Sequence, residues 1–84
     1  MTDEFVLTVT YKGELKDLNA RLLLQGYTHR FRIIIDQTEA FFEPDEEGHY
    51  RVVKMPGQDE QQLLKLDRDL LQAIQEEIET ILAG

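Results

Sequence analysis

The sequence predicts an α+β fold, an antiparallel β-meander of about five strands whose apolar face is covered by a C-terminal amphipathic helix. Three observations lead there. Runs of alternating apolar and polar residues, separated by turn-forming pairs, fill residues 4–54. Residues 68–82 carry leucine and isoleucine at helical spacing. A chain of 84 residues is too short to divide into halves that each bury a core, so it reads as one domain.

In residues 5–11, Phe5, Leu7, Val9 and Tyr11 share one side and Thr8 and Thr10 the other, the period of a half-buried strand. Lys12-Gly13 then forms a tight turn. Residues 14–24 set Leu18, Ala20, Leu22 and Leu24 against Asp17, Asn19 and Arg21, and Gln25-Gly26 is the next turn signal. Residues 28–35 set Phe31, Ile33 and Ile35 against Arg30 and Arg32. Asp36-Gln37 closes a hairpin into residues 38–43, and the polar stretch 44–48, with proline and glycine, leads into a fifth strand at 49–54.

Met55-Pro56-Gly57 ends the sheet. A single helix over the remainder would place Asp67 inside the apolar stripe of Leu63, Leu70, Ile74, Ile78 and Ile81. Making Asp67 the N-cap removes that conflict, with Asp69 in the first turn and Leu66 set against Leu71 as a hydrophobic staple. The expected division is a meander over 4–54, a connector over 55–67, with room for a helical turn of its own, and a helix over 68–82.

Turn lengths assign strand neighbours. One face collects Phe5, Leu7, Val9, Leu18, Ala20, Leu22, Phe31, Ile33, Ile35, Ala40, Phe42, Tyr50 and Val52, and the helix should cover it. The other collects Arg21, Arg30, Arg32, Phe41, Glu43, His49 and Arg51, with Val6, Ile34 and Val53 among them. On this register Phe41 lies between Arg32 and Arg51, Glu43 between Arg30 and His49, Arg21 opposite Arg30, and His29 opposite Leu22. These seven residues, Arg21 to Arg51, form the candidate binding face. Guanidinium forks bind carboxylates bidentately and stack on rings, and aromatic-plus-arginine surfaces are favoured at interfaces. The plainer account is a hydrated sheet face braced by Glu39 and Glu43.

Composition narrows the chemistry. With no serine and no cysteine, the chain cannot build a Ser/His/Asp or Cys/His nucleophile, a disulfide or a thiolate metal site. There is no glycine-rich phosphate loop. Glu43, His49, Asp45, Glu46 and Glu47 offer oxygen and nitrogen ligands near one hairpin tip, but in no recognised metal-binding spacing. No metal or cofactor is therefore expected, and His29 is expected at the core margin rather than in catalysis. A formal net charge of -8 disfavours nucleic acid and anionic lipid. The start lacks a basic and apolar leader, which gives a cytoplasmic expectation.

The segments Val9-Thr10-Tyr11-Lys12-Gly13, Leu22-Leu23-Leu24-Gln25-Gly26-Tyr27 and Phe41-Phe42-Glu43-Pro44-Asp45-Glu46-Glu47-Gly48-His49-Tyr50-Arg51 resemble those of small bacterial proteins without an assigned function. The resemblance implies no activity. The residues themselves rank a non-enzymatic module binding a protein partner, or a second copy, through the open face first. Nucleotide or single-stranded nucleic-acid binding on the same face comes second, with Phe41 as stacking platform. A carboxylate- or metal-dependent enzyme comes last.

Overall fold

The computed structural model describes residues 4–83, Gln25 and Ala83 in their backbone alone; the lead-in Met1, Thr2 and Asp3 lies outside the described residues. Five strands, β1 (Glu4–Tyr11), β2 (Glu14–Gln25), β3 (Thr28–Ile35), β4 (Thr38–Pro44) and β5 (Tyr50–Val53), form one antiparallel sheet in chain order. A short helix α1 (Glu60–Leu64) and a longer α2 (Arg68–Ala83) follow. This is the α+β meander with a C-terminal helix that the alternation predicts.

The turns set the registers. Lys12 and Gly13 both take left-handed φ, 52° and 77°, which lets a two-residue turn follow the twist of the strands it joins. Asp36 and Gln37 do the same at 47° and 69° without a glycine. The second turn is built on Gly26, at φ 61°, and Tyr27 instead of Gln25 and Gly26, so pairing begins at Gln25 and Thr28. Arg21 therefore lies opposite Arg32, not Arg30, and His29 opposite Leu24, not Leu22.

The last hairpin departs from expectation in the same way. The Asp45 carboxylate accepts hydrogen bonds from the N–H groups of Glu47 and His49, both at 2.9 Å, and folds 45–49 into a closed loop. Pairing starts at Pro44 and Tyr50, which puts Glu43 opposite Arg51, not His49, and Phe41 opposite Val53, not Arg51. His49 belongs to the loop, not to the fifth strand. Both corrections are slips of two residues, and a slip of two leaves every side chain on its own face.

One face is the core. Leu7, Val9, Ile33, Ile35, Ala40 and Phe42 from the sheet are buried against Leu70, Ile74 and Ile78, the inward stripe of α2. Asp67 caps that helix: its carboxylate accepts from the Asp69 N–H at 2.8 Å while its carbonyl accepts from Leu71 at 3.0 Å. The same carboxylate accepts from the Tyr11 hydroxyl at the end of β1. Twelve residues on, Glu79 accepts from the Tyr50 N–H of β5 at 3.1 Å. Twelve helical residues span about 18 Å and four strand spacings about 19 Å, so α2 crosses the sheet from one outer strand to the other. The connector is pinned as well. Gln58 donates to the Glu39 carbonyl of β4 and accepts from the Met55 N–H, both at 2.8 Å, and Leu66 packs on the core.

Candidate functional site

The observed pairings arrange the face opposite α2 in three rows. The first runs Glu4, Arg21, Arg32, Phe41, Val53 across the five strands. The second holds the pairs Val6–Asn19 and Ile34–Glu39. The third runs Leu23, Arg30, Glu43, Arg51. Six of the seven residues predicted for this face stand on it. His49 does not.

Their states differ. Arg30 is committed within the molecule: its Nη2 lies 2.9 Å from Glu43 Oε1, with side-chain exposures of 17% and 34%, and its Nη1 donates to Met55 Sδ at 3.3 Å. Arg51 is exposed on the other side of Glu43. Arg21 is exposed, directly opposite Arg32, and two like charges at one cross-strand position repel. Arg32 is half-buried between Arg21 and Phe41, and its Nε is buried with no hydrogen-bond partner among the described residues. Phe41 is half-buried too, which leaves it less ring face for stacking than an open platform offers.

Beside Arg32 the face dips into an open depression of about 360 Å³, lined by Glu4, Phe5, Val6, Asn19, Ala20, Arg32 and Ile34. Val6 is 59% exposed there, although it sits on a β-branched run that ordinarily seeks cover. A guanidinium lining a partly apolar groove is suited to a carboxylate carried on an extended, partly apolar segment. The signal for Val6 and Ile34 was in the sequence, as apolar residues on the polar parity. Nothing in the sequence marked Arg32 as the arginine left without a partner.

His49 turns the other way, toward α2. Its Nδ1 is 3.2 Å from Glu79 Oε1, and Glu47 stands 3.9 Å from its Nε2. The bond to Glu79 raises the His49 pKa above its ordinary 6.5, while the Tyr50 N–H and His49 hold Glu79 below its ordinary 4.5. The His49 N–H lowers Asp45 in turn. His29 is half-buried, with Nε2 against the Tyr50 hydroxyl and its ring 5.9 Å from Phe31. Burial raises the Tyr50 pKa, so the phenol stays protonated.

Among the described residues no three histidine, aspartate or glutamate side chains gather in a way that would hold a metal ion, and no helix is long and apolar enough to cross a membrane. No protein-family model matches the chain, and no curated protein or solved structure matches it.

Proposed function

We propose that this chain is a non-enzymatic cytoplasmic interaction module whose open sheet face takes an acidic, partly apolar segment of a protein partner in extended conformation. The observation that carries the reading is Arg32, a half-buried guanidinium with an unpartnered Nε between Arg21 and Phe41. Leaving a buried donor unmade costs about 1–3 kcal/mol, and a carboxylate recovers it once the Arg32 side chain swings out into the groove to meet it. Because the molecule carries a net charge of -8, arginines gathered on one face are where an acidic segment meets attraction instead of repulsion. Carboxylates of the partner meet Arg21 and Arg32, and its apolar side chains lie over Val6 and Ile34.

The test is titration calorimetry with a synthetic decapeptide alternating glutamate and valine, against a control with lysine for glutamate. The acidic peptide binds, binding weakens with salt, and Arg32→Ala with Phe41→Ala abolishes it while the circular dichroism spectrum stays unchanged. Absence of binding at low ionic strength, or equal binding by the double variant, sinks the reading. Capture of a single-stranded oligonucleotide in place of the acidic peptide assigns the face to nucleic acid instead.

A further inference from the structure

We propose that β1 is a self-complementary edge through which two copies of this chain join their sheets, β1 antiparallel to β1, into one ten-stranded sheet. The two outer strands are built differently. The β5 edge is four residues long and runs into Lys54, Met55 and Pro56, and short length, charge and proline are what natural edges use to refuse a further strand. The β1 edge is eight residues long, and from Phe5 to Tyr11 it contains no charge, proline or glycine. Nothing blunts it.

The turn that ends β1 determines which backbone groups face outward. Tyr11 and Glu14 flank the two-residue turn, and flanking residues form a hydrogen-bonded pair. Phe5, Leu7, Val9 and Tyr11 therefore bond inward to β2, while Val6, Thr8 and Thr10 direct N–H and C=O away from the sheet. A second β1 meets these groups when the two-fold axis passes through a residue, so that even positions face even positions. Centred on Thr8, the axis puts Thr8 against Thr8, Val6 against Thr10, Leu7 against Val9 and Phe5 against Tyr11. At each end Glu4 falls opposite Lys12 of the second copy, a turn residue whose ammonium stands 3.7 Å from its own Asp67.

No like charges meet in this register: threonine faces threonine, valine faces threonine, and Phe5 faces the aromatic Tyr11. It also covers Phe5, a core-parity aromatic that its own helix leaves 37% exposed. Both copies of α2 then lie on one side of the joined sheet and both open faces on the other. The dimer shares Glu4, Phe5 and Val6 with the groove of the acidic-segment reading but leaves Arg32 on β3 and Phe41 on β4 accessible, so the two are tested separately.

Sedimentation equilibrium tests it, together with cysteine crosslinking in a chain that has no cysteine of its own. The chain sediments as a dimer that dissociates on dilution. Thr8→Pro, which removes an outward N–H from an edge strand, gives a monomer. Thr8→Cys forms a covalent dimer on oxidation, because facing hydrogen-bonded positions stand about 5.5 Å apart between Cα atoms. Val6→Cys does not, lying off the axis. Should Thr8→Pro fail to fold, charge reversal decides instead: Glu4→Lys sets lysine against Lys12 of the second copy and weakens the dimer. A wild-type chain that stays monomeric at millimolar concentration, a dimer indifferent to both Thr8→Pro and charge reversal, or equal crosslinking at positions 6 and 8 overturns the proposal.

Discussion

At the scale of single residues, two side chains have opposite ledgers. Asp67 stabilises from two directions, since one carboxylate oxygen caps α2 and the other takes the Tyr11 hydroxyl. Asp67→Ala is expected to lower stability by about 0.5–2 kcal/mol from the cap alone, and Tyr11→Phe to remove only the tie to β1. Urea melts of both variants separate the two contributions, and an unchanged midpoint for Asp67→Ala would overturn the capped-helix account. Arg32 runs the other way. Arg32→Met keeps the length of the side chain and deletes the orphaned Nε, so stability rises by about 1 kcal/mol while the acidic peptide is no longer bound. A lower urea midpoint would show that this guanidinium stabilises the fold and is not held ready for a ligand. The role of Asp67 was legible in the sequence because a charge inside an apolar stripe demands an explanation. That of Arg32 was not, because an unmet donor depends on where its neighbours end.

Among the elements, the hairpins show what alternation can and cannot reveal. Period two assigns faces, and the buried set of Leu7, Val9, Ile33, Ile35, Ala40 and Phe42 follows it. A hairpin displaced by two residues leaves those faces intact, so alternation is blind to it, and both misplaced registers in this sheet are of that kind. His49 leaves the predicted face because the Asp45 carboxylate closes a loop over 45–49, one position further along than the strand pattern implies. The β3–β4 turn holds Asp36 and Gln37 in left-handed backbone, which costs a non-glycine residue roughly 1–2 kcal/mol. Gln37→Gly should raise stability by about 1 kcal/mol in a thermal or urea melt. The link between loop 45–49 and α2 depends on pH. A raised His49 contributes fully below its ordinary 6.5 and loses its contribution as pH climbs through the raised value. A lowered Glu79 contributes above its ordinary 4.5 and loses it as pH falls. The pair is strongest between those limits. NMR titration should place the His49 midpoint above 6.5, and Glu79→Gln should return it toward that value.

On the scale of the whole molecule, every strand pairs with its neighbour in sequence, and the contact that closes the chain on itself is α2 against β1. Ile74 is fully buried at the centre of the helix stripe, and Ile74→Ala should cost about 2–5 kcal/mol in a urea melt, enough to unfold much of a domain this small. Because α2 is anchored to Tyr11 on β1 and to Tyr50 on β5, neither outer strand can peel away while the helix stays in place. Outer strands of a small sheet ordinarily fray, and their amides exchange with solvent at a fraction of the global unfolding free energy. Here the two borders are fastened by one rod. Amide protons of Leu7 and Val9, which point into the β1–β2 ladder, should therefore exchange only when the entire molecule opens, as slowly as those of β3 at its centre.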